Sequence, residues 1–401
     1  YARSLVDCPT APIGRKNNKK GNLQMWRQLL LTTCLASIAY PVPVTAEATK
    51  PLDRTEAKPV FPQSSNAKLE AQVRALMEEH GVPAVSFAVV NSEGVQHAAA
   101  YGEARPGVEA TSQSMFNTAS VTKFLAAEMV LQLADDGVFD IDQPMAPTFI
   151  DPDVTGDPRA EKLTPRHALA HQTGFPNWRS MADDNRLAFG FEPGTRPGYS
   201  GEGFNYLARY VLALTQSKFT DLLDTHVLKP ADAKHIAFQP KGDLAEHFAW
   251  SKKPDGSFTK ADTQDWSAAD DIYASAPDLG RVLSRMLGEA KLSEELQAER
   301  RKVQFDMKDQ FCARPGFSEI CPKALGFTLS GVAFEYENEA VYWQGGGDVG
   351  ERAIVLLVPE HDMGLVILTN SHTGGRVFET IARAFYDNEK FTRFLGLQGQ
   401  Q

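Results

Sequence analysis

The spacing of apolar residues near the start of the chain predicts a helix followed by a β-hairpin. Apolar positions recur at helical spacing over 66–80, and Gly81 stands where such a helix would end. Two apolar runs, 84–90 and 95–101, follow it, and the turn-forming stretch 91–94 separates them. The pattern therefore predicts two antiparallel strands joined by a tight turn.

The far end of the chain has the same strand-like pattern, whereas the middle is helical. Strands are predicted at 324–334, 340–344, 353–358 and 364–369, and a closing helix at 376–387. Between the two ends, helices are predicted at 120–136, 165–170, 202–215, 219–227, 276–287 and 293–302. This order predicts an α+β fold, an α/β sandwich plus an all-α region. Both chain ends would form one antiparallel sheet flanked by terminal helices, with the helical middle as an insertion.

These patterns also predict the division of the chain. We expect the folded domain to cover 66–387, with a sheet part at 66–117 and 324–387 and a helical part at 118–323. The proline-rich stretch 49–65 is expected to be a linker, and residues 388–401 a C-terminal tail.

The first 48 residues differ in composition from the rest. They contain six basic and two acidic residues, although the whole chain has a formal net charge of -10. Met25-Trp26-Arg27 leads into the apolar run 29–39, and Ala46-Glu47-Ala48 supplies small residues in an A-x-A arrangement. This order is typical of a secretory signal peptide, whose apolar part is too short to span a bilayer stably. We expect 1–24 to be an upstream segment, the signal peptide to end near residue 48, and the protein to be periplasmic or extracellular.

The cysteines agree with export. Cys8 and Cys34 would both be lost with the leader. Lipid anchoring at Cys34 is an alternative with less support, because the residues before it match a lipoprotein cleavage box poorly. Cys312 and Cys321 remain as a pair, nine positions apart. We predict a disulfide between them, with two unpaired thiols as the alternative.

Composition excludes several classes of protein. The chain has 401 residues, of which 42% are hydrophobic and 23% charged. These values are typical of a globular protein and leave no stable membrane span once the leader is removed. An acidic chain offers no cationic surface for phosphate, so a nucleic-acid partner is not expected.

The sharpest local motif is Ser120-Val121-Thr122-Lys123, at the start of a predicted helix. A serine and a lysine three positions apart share one helix face, so the amine can reach the hydroxyl. Free backbone N–H groups at a helix N-terminus also stabilise developing negative charge. A serine nucleophile needs a base, and a desolvated lysine can act as one. Taken alone the motif is weak, because an N-capping serine beside a surface lysine gives the same pattern.

Further blocks, in the right order, resemble the serine β-lactamase and penicillin-binding protein superfamily. The motif lies in the block 118–142, and a helix-and-turn block follows at 163–174. A tyrosine-centred block spans 191–201, and a glycine-rich block spans 343–347. The resemblance covers roughly residues 66–387 and is closest to the class C-like branch that includes family VIII carboxylesterases. It implies a β-lactamase/DD-peptidase-like fold.

The resemblance implies a role for each matching residue. Ser120 would be the nucleophile that forms an acyl-enzyme, and Lys123 would accept or relay its proton. Tyr199 would assist acylation and pass a proton to the leaving group. The backbone N–H groups of Ser120 and Gly347 would form the oxyanion hole, with Gly345 beside the substrate. No metal ion or organic cofactor is implied.

The substrate side departs from the superfamily pattern at two positions. Gly201 stands where the second block normally has an asparagine, so a side-chain contact with the substrate is missing. Gln344 stands where the third block normally begins with lysine or histidine. An alternative register places Trp343 first and Gly345 third, like the tryptophan-containing triplet of family VIII esterases, whereas the Gln344 register places Gly346 third. Both registers favour neutral esters over substrates with a carboxylate.

Four other residues are candidates for a positive charge at the substrate or for metal ligands. Arg196 or Arg352 would supply a positive charge if either faces the substrate. His167 and His171 are four positions apart on a predicted helix, but the glutamate of an H-E-x-x-H zinc site is absent. We therefore expect structural histidines and no metal site.

Together these features predict an exported serine hydrolase that acts through an acyl-enzyme on Ser120, most simply a carboxylesterase on short-chain esters. A DD-peptidase or D-amino-acid peptidase and a weak class C-like β-lactamase are the nearest alternatives, so the partner is a small-molecule ester, amide or β-lactam. A non-catalytic penicillin-binding-like module is the competing class. The presence of Ser120, Lys123 and Tyr199 favours the enzyme.

Overall fold

The computed structural model describes residues 66–261, 265–288 and 292–400. The upstream segment, the signal peptide with Cys34 and the linker predicted over 49–65 lie outside these residues. Among the helices of the described part, none is long and apolar enough to cross a lipid bilayer.

Both ends of the chain contribute strands to one antiparallel sheet, as predicted. In the described residues the sheet has nine strands: β1 (Ala84–Asn91), β2 (Gly94–Arg105), β3 (Val108–Glu109), β9 (Phe305–Asp306), β10 (Ala324–Phe327), β11 (Val332–Glu335), β12 (Ala340–Asp348), β13 (Glu351–Val358) and β14 (Met363–Thr369). Their order is β3-β2-β1-β14-β13-β12-β11-β10-β9. β1 pairs antiparallel with β14, so the first and the last strand of the sheet along the chain are neighbours. The fold prediction is thus confirmed, although edge strand β9 lies inside the part predicted to be helical.

Short strands also lie within the helical part and at its start. β4 (Phe116–Asn117), β5 (Ile236–Ala237) and β8 (Tyr273–Ala274) form a sheet of order β4-β8-β5, and β6 (Ser251–Lys252) pairs with β7 (Phe258–Thr259). Strands of two residues leave no alternating pattern in the sequence, so they were not predicted. The first of these sheets matters for function, because β4 leads directly into the predicted nucleophile.

The helices cover both faces of the main sheet. They are α1 (Asn66–His80), α2 (Thr122–Asp135), α3 (Pro165–Leu169), α4 (Gly201–Thr215), α5 (Phe219–Leu223), α6 (Ala276–Leu287), α7 (Glu294–Arg301), α8 (Lys308–Cys312), α9 (Phe378–Arg383) and α10 (Glu389–Gly399). All seven residues of β14 are buried. Val366 and Leu368 belong to a core shared with α2, α4 and α6, whereas Leu365 and Ile367 belong to a core shared with α1, α9 and α10. Alternation along the strand therefore assigns each side chain to one of two cores.

The stretch predicted to be a C-terminal tail contains the helix α10. The Asn388 side chain accepts a hydrogen bond from the Phe391 N–H at 2.9 Å and so caps the helix. Phe391, Phe394 and Leu395 are buried in the core on this face of the sheet. Packing of these three apolar side chains extends the folded domain beyond residue 387. The closing helix predicted at 376–387 is shorter, since α9 ends at Arg383.

A disulfide joins Cys312, the last residue of α8, to Cys321. The loop between them buries Phe317 and Ile320 in the same core as α10. Phe311 also contacts Phe394 of α10, with ring centroids 5.8 Å apart. The disulfide therefore closes a loop that packs on the C-terminal helix.

Candidate functional site

Ser120 lies on a tight 3₁₀ turn, Ala119–Val121, immediately before α2. Ala119 has a φ of 46°, a left-handed conformation that is unusual for a residue with a Cβ. The Asn117 side chain compensates by accepting a hydrogen bond from the Ala119 N–H at 2.8 Å. Strain held by its surroundings is common at functional sites, because it presents one side chain in a fixed direction. Here that side chain is the Ser120 hydroxyl.

The backbone around this turn is anchored to the residue before β8. Thr118 donates two hydrogen bonds to the carbonyl oxygen of Ile272, from its N–H at 2.9 Å and from its hydroxyl at 3.0 Å. The Thr122 hydroxyl accepts a bond from the Ile272 N–H at 3.1 Å. Both threonines are buried. The turn therefore sits in a dry, hydrogen-bonded frame that resists displacement.

Lys123 is the buried partner of Ser120. It lies in the first turn of α2, and the residue is 1% exposed. Its Nζ donates to Ser120 Oγ at 3.1 Å and to the carbonyl oxygen of Ala269 at 2.8 Å. A lysine nitrogen at hydrogen-bond distance from a serine hydroxyl can exchange a proton with it. The predicted contact between the two residues of the motif is present.

Tyr199 and Trp178 lie on the other side of the lysine. Lys123 Nζ lies 4.8 Å from the centroid of the Tyr199 ring and 5.7 Å from that of the Trp178 ring. Both distances are within the range of cation–π contacts. The structure thus brings Ser120, Lys123 and Tyr199 together, and it adds Trp178, which the sequence analysis did not select.

His171 supports Tyr199. The two ring centroids are 4.4 Å apart, and His171 Nδ1 accepts a hydrogen bond from the Ser200 N–H at 3.2 Å. Burial, and secondarily the positive charge of Lys123, hold the pKa of His171 well below its usual value. A neutral imidazole is what this hydrogen bond requires, because only an unprotonated nitrogen accepts.

His167 and His171 were predicted to lie on one helix, but the structure does not place them so. α3 ends at Leu169, and His171 follows it with a φ of 55°. His167 instead caps α3, since its Nδ1 accepts from the Thr164 N–H at 3.3 Å and its own N–H donates to the Thr164 hydroxyl. Each histidine therefore has a structural contact of its own.

The position of Gly201 leaves no space for the asparagine of the superfamily pattern. A Cβ at Gly201 would lie 2.7 Å from the Trp178 ring and 3.1 Å from the carbonyl oxygen of Asn177. The Asn177 side-chain oxygen accepts from the Gly201 N–H at 2.9 Å. The 177–178 loop thus occupies the space beside the start of α4, and Trp178 rather than a side chain at 201 lines the site.

Arg179 fixes that loop. Its guanidinium contacts Glu202 Oε2 at 2.9 Å, Asp151 Oδ2 at 3.0 Å and Asp153 Oδ2 at 3.0 Å. Glu202 is in the first turn of α4, where a carboxylate is favoured, and Asp151 is 1% exposed. Removing one partner of such a network leaves a buried charge uncompensated. The network therefore holds Trp178 against the residue that follows Ser200.

β12 contains the glycine-rich block 343–347. The direction of its side chains shows whether Trp343 or Gln344 begins the third block of the superfamily pattern. Trp343 packs against Phe334 and Phe394, in the core opposite the site. Adjacent strand residues point to opposite faces, so Gln344 faces the helical part. Gln344 is buried, and its Nε2 donates to the Gly345 carbonyl oxygen at 2.7 Å. Gln344, and not Trp343, is on the same face as the nucleophile turn.

The glycines of β12 allow it to approach that turn. A Cβ at Gly346 would overlap the carbonyl oxygen of Thr118 and would lie 3.2 Å from the Ser120 nitrogen. β11 pairs with β12 only as far as Trp343, so the edge of β12 beyond it is open towards the turn. The close approach places the backbone around Gly347 beside Ser120, and it excludes every residue with a side chain at 346.

Neither arginine proposed from the sequence supplies a free charge at Gln344. Arg196 is exposed, with its guanidinium 4.2 Å from the centroid of the Phe191 ring. Arg352 pairs with Gly347 across the strands, and its Nη1 donates to the carbonyl oxygens of Asp348 and Glu351 at 2.7 Å and 2.8 Å. Burial lowers the pKa of Arg352.

Several carboxyl groups also lie at this end of β12. Within the described ranges, one group of three potential metal ligands lies close together: Asp270, Asp271 and Asp348, with oxygens within 4.8 Å of one another. Neither His167 nor His171 belongs to it. Sequence analysis missed this group, because residues 270 and 348 are far apart in the chain and only folding joins them. It also missed Trp178 and Arg179, which lie in a loop with no motif.

The sequence and the fold both resemble known proteins. A family model described as Beta-lactamase matches residues 69–386. D-alanyl-D-alanine-carboxypeptidase/endopeptidase AmpH of Escherichia coli strain K12 is 22% identical over 319 residues, which cover 73% of this chain and 81% of that protein. A β-lactamase/D-alanine carboxypeptidase from Pseudomonas syringae has a similar fold, with a TM-score of 0.65, 16% identity, and coverage of 81% of this chain and 99% of the other. The octameric penicillin-binding protein homologue from Pyrococcus abyssi has a TM-score of 0.64, 18% identity, and coverage of 76% and 73%. Since the family model spans most of the chain, this protein belongs to the beta-lactamase family and is a serine hydrolase of the β-lactamase and penicillin-binding protein superfamily.

Proposed function

We propose that the protein is a carboxylesterase that hydrolyses short-chain esters through an acyl-enzyme on Ser120. The observation that carries the proposal is the 3.1 Å contact between Lys123 Nζ and Ser120 Oγ, inside a buried frame beside the glycines of β12. This arrangement has the parts that acyl transfer needs: a nucleophile, a proton acceptor in contact with it, and backbone N–H groups nearby.

The reaction has two steps, acylation and deacylation, and every proton is accounted for in each. In acylation, Ser120 Oγ attacks the ester carbonyl carbon, and the amine form of Lys123 takes the hydroxyl proton. The C–O bond of the ester breaks, and the proton passes by way of Tyr199 to the departing alkoxide, which leaves as an alcohol. In deacylation, water attacks the acyl carbon, the carboxylic acid is released, and Ser120 regains its proton. The N–H groups of Ser120 and Gly347 would stabilise the oxyanion in both steps.

The preference for substrates without a carboxylate rests on the residues around Gln344. A carboxylate is held best by a lysine or arginine that donates charged hydrogen bonds. Gln344 has no charge, and its amide already donates to Gly345 O. Arg352 donates to backbone carbonyls, and Arg196 stacks on Phe191 at the surface. A substrate carboxylate would therefore lose its solvation without gaining a cation at this position.

A second candidate is a D-alanyl-D-alanine-type peptidase. The observation in its favour is the similarity to a protein of that name over 319 residues. Cleavage of an amide would use the same acyl-enzyme, with an amine instead of an alcohol as the leaving group. Weak β-lactamase activity would follow the same route, since ring opening of a β-lactam also acylates the serine.

The test compares the wild type with Ser120→Ala and with Ser217→Ala, an exposed serine away from the motif. Substrates are p-nitrophenyl acetate and butyrate, a chromogenic cephalosporin, and a peptide ending in D-Ala-D-Ala. We expect ester hydrolysis in the wild type and in Ser217→Ala, and a loss of about 10³-fold or more in Ser120→Ala. A fluorophosphonate should add one covalent mass to the wild type and none to Ser120→Ala.

Other outcomes decide between the alternatives. Faster cleavage of the D-Ala-D-Ala peptide than of the esters would favour the peptidase. If no substrate turns over and no covalent adduct forms, the protein is a non-catalytic binding module. If Ser120→Ala hydrolyses esters at the wild-type rate, the nucleophile is another residue.

We propose in addition that the protein is exported. The basic, apolar and small-residue order of the first 48 residues supports this, and so does the disulfide between Cys312 and Cys321, since such bonds persist mainly in oxidising compartments. Expression of the full chain in a Gram-negative host, followed by fractionation and intact-mass measurement, tests it. We expect a periplasmic product cleaved near residue 48, and an uncleaved cytoplasmic product would contradict the proposal.

A further inference from the structure

Four carboxyl groups meet beside the reaction centre. Asp270 and Asp271 follow directly after the residue whose carbonyl oxygen accepts the hydrogen bond from Lys123. Asp348 is the last residue of β12 and comes directly after its glycines. One oxygen of each of these three aspartates lies within 4.8 Å of the others. Such proximity of like charges is costly. Within the described part of the chain, the cations that face the group are Lys123, which interacts with Asp270, and Arg352, which interacts with Asp348 and Glu351.

The fourth carboxyl group is Glu351, and it independently points to a ligand that donates hydrogen bonds. Glu351 pairs directly with Asp348 across β12 and β13. Directly opposite residues in an antiparallel pair have their side chains on the same face, so Glu351 points to the side of the three aspartates. Glu351 is 4% exposed, and among the described residues its Oε2 has no hydrogen-bond partner. A buried carboxyl oxygen without a donor is expensive, and a group that donates hydrogen bonds to it would remove that cost.

Two of the carboxyl groups have raised pKa values. Burial, and next the charge of Asp271, raise the pKa of Asp270 to about 8, although Lys123 acts in the opposite direction. Burial, and next the charge of Asp348, raise the pKa of Glu351 well above its usual value. A bound cation would lower both pKa values, since it stabilises the ionised forms.

We propose that Asp270, Asp271, Asp348 and Glu351 form a subsite for the primary ammonium group of the substrate. The preferred substrates are then esters or amides that have a free amine close to the scissile carbonyl. This inference rests on the proposed acyl-enzyme function and makes its substrate class more specific. It also agrees with the lack of a cation at Gln344, because a positive charge there would repel the ammonium group of the substrate.

An ammonium group matches the hydrogen-bonding capacity of these carboxyl groups better than a metal ion does. Asp270 Oδ1 already accepts from the Asp271 N–H at 3.0 Å, and Asp348 Oδ1 from the Val349 N–H at 2.7 Å. Asp271 Oδ1 accepts from the Asn117 side-chain amide at 3.4 Å. An ammonium group has three donors, so it can donate to one oxygen of each aspartate. Calcium requires roughly six to eight oxygen ligands, whereas one oxygen from each of three aspartates is gathered here.

The experiment uses a matched pair of esters, alanine benzyl ester and benzyl isobutyrate. The two acyl groups have nearly the same shape, and only the first has an ammonium group at pH 7. Released benzyl alcohol is measured by chromatography, with both enantiomers of the alanine ester. For the wild type we expect kcat/KM to be at least about tenfold higher for one alanine ester than for the isobutyrate, as for a charged hydrogen-bonded contact.

Two variants test the assignment. Asp348→Asn and Asp270→Asn each retain the oxygen that accepts a backbone N–H and remove the charge. We expect the ratio of kcat/KM for the two esters to fall by about fivefold or more in each. Glu78→Gln is the matched control, since Glu78 is an exposed residue of α1 and the change in net charge is the same. Its ratio should equal that of the wild type.

The outcomes separate this inference from the proposed function. Hydrolysis of benzyl isobutyrate as fast as the alanine esters would overturn the ammonium subsite and leave the acyl-enzyme intact. An unchanged ratio in both aspartate variants would overturn the subsite as well. Titration of the full protein with CaCl₂ adds a third arm: micromolar calcium binding that is lost in Asp348→Asn would identify a metal site instead. If no ester is hydrolysed and a fluorophosphonate does not label Ser120, the proposed function itself fails.

Discussion

The two sides of the candidate site differ in how closely they follow the superfamily pattern. On the nucleophile side, Ser120 and Lys123 are in contact, Tyr199 lies over the lysine, and buried backbone groups hold the turn. On the substrate side, Gly201 and Gln344 replace the expected asparagine and cation. Proton transfer from a serine requires fixed contacts of about 3 Å, whereas the groups that recognise a substrate can be exchanged while the core stays intact.

The largest expected effect comes from removing the proton acceptor on the nucleophile side. Lys123→Ala should lower kcat/KM for p-nitrophenyl butyrate by about 10³-fold, because general-base assistance contributes about 10²–10⁴-fold. Lys162→Ala is the control, since Lys162 is exposed and paired with Glu192 at the surface. Steady-state kinetics on both variants checks this. If the two lysine variants are equally active, the nucleophile side is not built as described.

The next effect comes from the backbone that joins the two sides. Gly346→Ala places a Cβ against the carbonyl oxygen of Thr118 and should displace β12 from the nucleophile turn. A shift of about 1 Å can cost about 10²-fold in rate, so we expect a loss of that order in kcat. At Gly190 a Cβ would make an ordinary contact 3.5 Å from the Gly174 carbonyl oxygen, so Gly190→Ala is the control. Equal kcat values in the two variants would contradict the close approach.

A smaller effect is expected from restoring a cation on the substrate side. Gln344→Lys should lower KM for p-nitrophenyl hydrogen succinate relative to p-nitrophenyl butyrate by about three- to tenfold, because one substrate carboxylate gains a charged partner. Gln344→Leu removes the same amide without adding charge and should leave the KM ratio unimproved. Should both variants change the ratio equally, position 344 does not face the substrate.

The smallest effect concerns pH and the support of Tyr199. His171 is neutral in the folded protein, with a pKa well below 6.5, and it would titrate near 6.5 when unfolded. The unfolded chain therefore binds more protons in acid, so the stability contributed by His171 is present above about pH 6.5 and declines below it. His171→Phe keeps a ring beside Tyr199 but leaves the Ser200 N–H without its acceptor.

The expected cost of His171→Phe is about 1–3 kcal/mol at pH 8 and less at pH 5. Urea unfolding of both proteins at the two pH values measures the difference. Taking the difference between wild type and variant removes the contributions of the other titrating groups. A cost that grows towards pH 5 would contradict a neutral imidazole.

Sequence patterns predicted the parts of the fold that depend on local spacing. β1, β14 and α2 have long apolar runs, and their predicted bounds agree with the structure to within two residues. The helix α10 was missed, because its apolar positions Phe391, Phe394 and Leu395 gain significance only when a core covers them. The strand β9 was missed because two residues pairing at a sheet edge leave no periodic signal.

The candidate site was predictable from local patterns only where its residues are close together in the chain. Ser120 and Lys123 are three positions apart, and helix geometry alone brings them into contact. Tyr199 came only from the resemblance, since nothing local relates residue 199 to residue 123. Trp178, Arg179 and the carboxylates around Asp348 had no signal, because their meaning comes from neighbours that are distant in the chain.

The sequence alone specifies the longer strands, most of the helices and the pairing of Ser120 with Lys123, because each depends on residues that are close together in the chain. The order of the blocks can also be read directly from the sequence. Folding of the whole chain decides that Gln344 rather than Trp343 lies on the face of the Ser120 turn, that Trp178 lies against Gly201, and that Asp270 lies close to Asp348. The physical reason is that the face a strand residue presents and the charges that surround it depend on long-range packing. In this protein the contact between Ser120 and Lys123 is specified locally, and the rest of the candidate site depends on residues that only the fold brings together.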